Sequence, residues 1–171
     1  SLTHTCVQAC DFSFSVGCTD AEDTAPVMVT PTGGIAPYTL MVDEEAYQPL
    51  PAILILSSGE HTLALRDSEG SESPARGVEV AKHLFLDEPA FFCSEDGSTY
   101  TATFTFGGGT PPYFVDGGKL AEGLFMYTTA PIGSGASSEF ELVDSRNCSA
   151  KAAFTHSCEA ACDLPCAGIS L

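Results

Sequence analysis

The feature that most constrains the fold is an internal repeat. The segment "CTDAEDTAPVMVTPTGGIAPYTLMVD" at 18–43 aligns without a gap with "CSEDGSTYTATFTFGGGTPPYFVDGG" at 93–118. Three features coincide at a single shift: Cys18 with Cys93, Gly33-Gly34 with Gly108-Gly109, and Pro37-Tyr38 with Pro112-Tyr113. Repetition at this spacing predicts two copies of one structural module.

A second similarity predicts where the modules begin and end. The segment "THTCVQACDF" at 3–12 resembles "THSCEAACDL" at 155–164, so the chain finishes on the start of a further unit. We predict one module over 1–81, a second over 82–157, and a cysteine-rich tail over 158–171. Because residue 1 is Ser and no signal segment follows it, we expect a piece of a longer protein or a processed chain.

The pattern of side chains predicts strands throughout. Each copy contains about six short β-branched or aromatic segments separated by Gly, Pro, Asp and Ser, and none has sustained helical periodicity. This pattern is typical of a β-sandwich. We therefore predict an all-β chain made of two tandem immunoglobulin-like sandwiches.

The charge excludes two classes of partner. Asp and Glu number 23 against 6 Lys and Arg, for a net charge of −17. Nucleic acids and anionic membranes need basic residues, so neither is expected to bind. The longest apolar run, "LPAILIL" at 50–56, has the length of a strand and is too short to span a membrane.

Eight cysteines in 171 residues indicate disulfides and an extracellular or cell-surface location. In the second module, Cys93 and Cys148 are expected at the same end of the sandwich and are predicted to pair. The first module has Ser71 where Cys148 would be, so the pairing of Cys18 is open, with Cys6 and Cys10 as its candidate partners. The partners of the remaining cysteines stay open: Cys158, Cys162 and Cys166.

Metal sites are weaker interpretations. Calcium needs six to eight oxygen ligands, and seven acids in predicted loops or turns could supply some of them. These acids are Asp20, Glu22, Asp23, Asp67, Glu95, Asp96 and Asp144. No EF-hand loop is present, and Asp67 and Asp144 are better explained as side chains that cap turns. A zinc site formed by His156 and the three tail cysteines is also weaker than disulfides, because the cysteine spacing is not a familiar zinc pattern.

The glycine stretches "GGIAPYT" at 33–39 and "GGGTPPYF" at 107–114 resemble a phosphate loop only superficially. A phosphate loop continues with Lys and Ser or Thr and opens a helix, whereas here Pro and Tyr lead into a strand. Glycines with positive φ and a tyrosine hydroxyl bonded to the backbone are expected instead. No nucleophile elbow is present, and the four histidines form no recurring catalytic arrangement, so no catalysis and no cofactor are predicted.

The order of these motifs resembles a known family. Cys93, "GGTPPY" at 108–113 and "FELVDSRNC" at 140–148 are similar to the SprB-type repeats of large Bacteroidetes surface adhesins and gliding proteins. The first module departs from that family at Ser71, where the closing cysteine would stand. The resemblance implies an immunoglobulin-like sandwich exported to the cell surface, with a stalk or adhesive role.

We therefore predict a non-catalytic spacer or adhesive module of a large secreted or cell-surface protein. Its expected partners are neighbouring modules and a surface glycan or protein. One alternative is a carbohydrate- or protein-binding sandwich, which requires exposed aromatics such as Tyr47, Phe125 or Tyr127 to form a platform. The other alternative is an adhesin segment rigidified by calcium.

Overall fold

The computed structural model describes residues 9–159, and these form two compact units. The first unit runs to His83 and also includes Gly108–Thr110 and Arg146–Cys148. The second unit consists of the remaining described residues, Leu84–Gly107, Pro111–Ser145 and those from Ser149 onward. Within the described part of the chain, no helix is long and apolar enough to cross a membrane.

The first unit contains seven strands. They are β1 (Phe12–Val16), β2 (Thr24–Pro31), β3 (Thr39–Val42), β4 (Gln48–Pro49), β5 (Leu54–Ser57), β6 (Gly59–Arg66) and β7 (Arg76–Val80). One sheet has the order β1-β2-β5 and the other β4-β3-β6-β7, and every pairing is antiparallel. This distribution of consecutive strands between two sheets is that of an immunoglobulin-like sandwich.

Alternation of side chains builds the core of this unit. In β2 the burial alternates, with Ala25, Val27 and Val29 facing inward. Residues from the other sheet, including Leu63 and Leu65 of β6, complete the same apolar cluster. Both sheets therefore hide one face from water, which is the main stabilising term of a sandwich.

The second unit repeats this plan with nine strands. They are β8 (Phe85–Leu86), β9 (Ala90–Cys93), β10 (Thr99–Gly107), β11 (Phe114–Val115), β12 (Gly118–Lys119), β13 (Met126–Thr128), β14 (Ile132–Gly133), β15 (Ser137–Val143) and β16 (Ser149–Thr155). Strand β10 pairs with β8, β9, β13 and β14 in one sheet, and the other has the order β12-β11-β15-β16. Its core is aromatic, with the rings of Phe104 and Phe140 stacked at 4.4 Å.

The structure confirms the predicted all-β class and the two immunoglobulin-like sandwiches. The two-residue strands β4 and β12 had no signal in the sequence, because two residues cannot display a periodicity. Each is recognisable only through its pairing with the strand beside it, β3 or β11 respectively.

The glycine–proline–tyrosine stretches are turns, as predicted. Gly34 and Gly108 have φ of 79° and 69°, and the peptide bonds preceding Pro37 and Pro112 are both cis. The hydroxyl of Tyr38 donates to the carbonyl of Gly33 at 3.0 Å. The aromatic residue thus holds its own glycine turn.

Gly108 is required by packing as well as by its backbone angle. A Cβ atom at this position would lie 1.7 Å from the carbonyl oxygen of His83. The adjacent Gly109 amide donates to the carbonyl of Lys82 at 2.8 Å. Only a residue without a side chain permits so close a backbone approach.

In the first unit, the ring of His61 bridges Asp43 and Ser57, and we call this arrangement the His61 clasp. Its Nδ1 lies 2.7 Å from a carboxylate oxygen of Asp43, and its Nε2 lies 2.8 Å from the carbonyl of Ser57. Because both ring nitrogens face acceptors, the ring is best satisfied when both carry protons. The hydrogen bond to Asp43 is the main cause that raises the pKa of His61 above 6.5, with burial opposing it.

We expect this clasp to make the first unit less stable as the pH rises through neutrality. A raised folded-state pKa contributes stability that is complete below 6.5 and disappears as the pH passes the folded value. The measurement is the urea midpoint of the wild type and of His61→Gln between pH 5 and pH 8. We expect the wild-type midpoint to fall more steeply with pH, and parallel curves for the two proteins would contradict the clasp.

Candidate functional site

The candidate site is an apolar pocket of about 330 Å³ in the second unit. Eight residues line it: Pro111, Pro112, Tyr113, Leu120, Ala121, Glu122, Gly123 and Phe125. Most of them are apolar, and the volume falls at the lower end of the range for small-molecule sites.

Local hydrogen bonds position the pocket. The Leu120 amide donates to the carbonyl of Tyr113 at 2.9 Å, and this bond joins the residue after β12 to the residue before β11. The Phe106 amide donates to the carbonyl of Phe125 at 3.0 Å, which fixes the far wall against β10. Gly123, with φ of 79°, allows the turn between these two walls.

Two aromatic rings, Tyr113 and Phe125, line the pocket, and Phe106 packs against both of them. Phe106 and Tyr113 are buried and meet edge to face at 5.2 Å. Phe125 lies 6.2 Å from Phe106 and 6.4 Å from Tyr113, and 56% of its surface is exposed. Phe106 and Tyr113 therefore pack against Phe125, whose exposed ring lines the pocket together with Pro111 and Pro112.

The electrostatics of the pocket favour binding over proton transfer. Burial, followed by the nearby charge of Asp144, raises the pKa of Tyr113, so its phenol stays neutral at physiological pH. At the rim, Glu122 forms an exposed ion pair with Lys119 at 3.7 Å, of a kind that contributes little stability. The lining contains no nucleophile beside a base, and its chemistry is that of a surface which binds apolar groups.

The carbohydrate- or protein-binding alternative requires exposed aromatics to form a platform, and of its three candidates only Phe125 belongs to this site. The ring of Tyr47 lies 3.8 Å beneath the guanidinium carbon of Arg66, and Tyr127 stacks on Phe140 at 5.2 Å. The three rings therefore do not form one platform. The pocket consists of Phe125 with residues that the sequence presented only as turn formers, above all Pro111 and Pro112.

The loop acids do not converge into a calcium site. Across residues 9–159, no set of three or more carboxylates has ligand atoms close together. Asp20 accepts bonds from the amides of Glu22 and Thr24, and these bonds lower its pKa. Asp96 has a pKa of about 2, because the hydroxyl of Ser94 and then the amide and hydroxyl of Ser98 donate to it.

Two of the remaining calcium candidates, Asp67 and Asp23, accept hydrogen bonds from backbone amides. Asp67 is buried and caps the turn after β6, where one oxygen accepts from the amides of Glu69 and Ser71. Its second oxygen accepts from the amide of Ile35 in the glycine turn, and Asp23 accepts from the amide of His83. The predicted cap at Asp67 is thus confirmed. Of the other three candidates, Glu22 and Glu95 are exposed and Asp144 is buried.

The predicted disulfide between Cys93 and Cys148 is wrong. Cys93 pairs with Cys158, with Cα atoms 5.8 Å apart, and Cys18 pairs with Cys148 at 5.5 Å. The reason is the direction of β16, which starts directly after Cys148 and ends three residues before Cys158. A seven-residue strand is roughly 24 Å long, so Cys148 and Cys158 lie at opposite ends of β16. Only Cys158 is near Cys93.

The candidate pairing of Cys18 with Cys6 or Cys10 is also wrong. At the shift of 77 residues that matches Ser71 with Cys148, the position that matches Cys158 is Ala81, so the first module has no cysteine there. Cys10 is buried and free, and burial is the main cause that raises its pKa. Three cysteines lie outside the described residues: Cys6, Cys162 and Cys166.

His156 does meet cysteines, but not as a zinc site. Its ring nitrogens and the sulfurs of Cys93 and Cys158 lie within 4.8 Å of one another, the single such grouping within residues 9–159. The two sulfurs are bonded to each other, and metals bind thiolates rather than disulfides. The His156 ring stacks on Phe91 at 4.6 Å and acts as a packing residue.

Comparisons with known proteins add little to this description. No family model matches the chain, and neither does any curated protein. Among solved structures, the chain is similar to the crystal structure of the N-terminal four immunoglobulin domains of Dscam1 isoform 9.44. That similarity has 13% identity and a TM-score of 0.28, and it covers 88% of this chain and 46% of the other. The chain thus spans less than half of that structure, and the assignment to two immunoglobulin-like sandwiches rests on the order of their strands.

Proposed function

We propose that this chain is a non-catalytic spacer and adhesive segment of a larger extracellular protein, similar in kind to the SprB-type repeats of surface adhesins. The observation that carries the proposal is the use of buried polar side chains. Asp67 holds two turns, and the buried hydroxyl of Ser73 bonds to the amide of Leu65. An enzyme would direct such groups into a cleft, whereas here they accept hydrogen bonds from backbone amides and so stabilise loops.

The disulfides and charge support an extracellular setting. Two bonds join Cys18 to Cys148 and Cys93 to Cys158, and such bonds persist in oxidising compartments. A net charge of −17 keeps copies apart in solution at high density. Both properties suit a long protein displayed on a surface.

The test is to hold the oxidised chain by its ends and raise the force. A load-bearing spacer keeps most of its length, whereas a chain that extends continuously at low force contradicts this role. The expected lengths follow from the disulfides and are derived in the Discussion.

A second candidate function, recognition of a sugar ring, is favoured by the pocket at Phe125. An exposed aromatic face beside prolines suits the apolar face of a pyranose, and Glu122 and Lys119 can bond to its hydroxyls at the rim. We expect Phe125→Ala to abolish binding on a glycan array while leaving the circular dichroism spectrum unchanged. Phe92→Ala, which removes an equally exposed ring outside the pocket, is the matched control. An array without hits for the wild-type chain would remove this second function.

A further inference from the structure

The outer face of the β1-β2-β5 sheet in the first unit carries an unusual set of apolar side chains. Met28, Ile53 and Ile55 are 56%, 57% and 60% exposed. Outward positions of a sandwich strand are normally polar, because they face water. These three are among the most exposed large apolar residues of the described chain.

The strand register brings them together. Pro26 of β2 lies opposite Ile55 of β5, and Val27 lies opposite Leu54. Ile53 directly precedes β5, and continuing this register by one residue places it opposite Met28, on the face that Ile55 shares. We refer to Pro26, Met28, Ile53 and Ile55 as the apolar face.

The second unit shows that the fold itself does not need this face. At the repeat shift of 75 residues, Pro26 and Met28 correspond to Thr101 and Thr103. Thr103 lies opposite Thr128, and their hydroxyls hydrogen bond at 2.9 Å. The positions of Pro26 and Met28 are therefore polar in the second copy, where exposed Phe92 and Met126 lie opposite Thr101 and Thr105.

The apolar face adjoins an open sheet edge. Strand β5 pairs with β2 on one side, and no strand within residues 9–159 pairs with its other side. Natural proteins usually protect such an edge with charges, but residues 46–58 contain none, although the chain carries a net charge of −17. Since like-charged copies repel elsewhere, they can approach most closely along this uncharged strand.

We propose that the apolar face is a self-association surface for a second copy of this chain. The β5 strands of two copies pair antiparallel about a two-fold axis, and the two apolar faces become neighbours in one continuous sheet. A symmetric contact of this kind needs a single self-complementary patch, which the apolar face and the β5 edge provide. The association does not depend on the spacer role.

The contact is expected to be weak as a single pair. Four side chains and one four-residue strand bury far less than the roughly 800 Å² per partner of a standard stable interface. Weak pairing becomes effective when many copies are held side by side, because each contact raises the effective concentration of the next. Salt should strengthen it by screening the repulsion between acidic copies.

The experiment is sedimentation equilibrium of the full chain from micromolar to millimolar concentration. We expect a monomer–dimer equilibrium that the variant Met28→Thr with Ile55→Thr weakens by about tenfold or more, since two apolar side chains are lost. Thr occupies the position of Met28 in the second unit, so the variant is compatible with the sandwich, and circular dichroism verifies its folding. Phe92→Thr is the matched control, because Phe92 is 60% exposed in the second unit.

Amide exchange separates strand pairing from general adhesion between apolar surfaces. In the wild type, exchange of the β5 amides should slow as the concentration rises, and it should stay constant in the double variant. A wild type that remains monomeric at millimolar concentration and high salt overturns the proposal. So does a dimer that Phe92→Thr weakens as much as the double variant does, or one whose β5 amides exchange at an unchanged rate.

Discussion

Held by its two ends, the oxidised chain is expected to extend about fourfold less than the fully reduced chain. The bond between Cys18 and Cys148 spans 130 of the 171 residues and takes the chain between them out of the load path. About 41 residues remain to be stretched, which at 3.4 Å each gives at most roughly 140 Å. The reduced chain can reach roughly 580 Å.

Force spectroscopy with and without a phosphine reductant measures these lengths directly. Cys18→Ser with Cys148→Ser is the informative control, because only the bond across 65 residues is then left in the described part of the chain. That variant should reach at most roughly 360 Å when oxidised, since about 106 residues carry the load. An oxidised wild type that stretches as far as the reduced chain would show that Cys18 and Cys148 are not joined.

Removing the other disulfide should produce a large loss of stability in the second unit. Cys93 and Cys158 close a 65-residue loop, and the entropy of closing it in the unfolded chain corresponds to about 4 kcal/mol. For a unit of this size, such a loss lowers the melting temperature by roughly 16–30 °C. The bond ties the end of β9 to the segment after β16, so its loss also frees a strand end of each sheet.

Urea unfolding of Cys93→Ser with Cys158→Ser, followed by circular dichroism, measures the effect. The transition of the second unit should move to lower urea, while that of the first unit stays in place. His156→Ala with the bond intact tests whether the stacked ring on Phe91 contributes separately, and we expect a smaller shift from it. An unchanged second transition in the double serine variant would contradict the pairing.

Local patterns were sufficient for the strands and turns. The β-branched and apolar run "APVMVT" at 25–30 predicts the strand β2, and the glycines before Tyr38 predict a turn that its hydroxyl holds. The cap at Asp67 followed from an acid placed after a strand and three residues before Gly70. Each of these features depends on neighbours close in the chain.

The pocket could not be predicted from local sequence patterns. Its walls come from the turn at Pro111 and Pro112 and from the loop that ends at Phe125, two segments that are separated in the sequence. The run "GLFMYTT" at 123–129 predicts a strand, and the exposure of Leu124, Phe125 and Met126 has no local sign in the sequence. Whether Phe125 is buried depends on what covers it, which is a property of the folded unit.

The sequence by itself determined that this protein is built twice from one all-β module, because alternation and turn residues act over short distances and the repeat displays them twice. Only the tertiary structure decided which cysteines join. Cys93 and Cys148 belong to the same repeat, yet Cys93 pairs with Cys158, which lies at the other end of β16 from Cys148. Disulfide pairing requires Cα atoms within about 7 Å, and such proximity follows from the register of strands rather than from the spacing of cysteines.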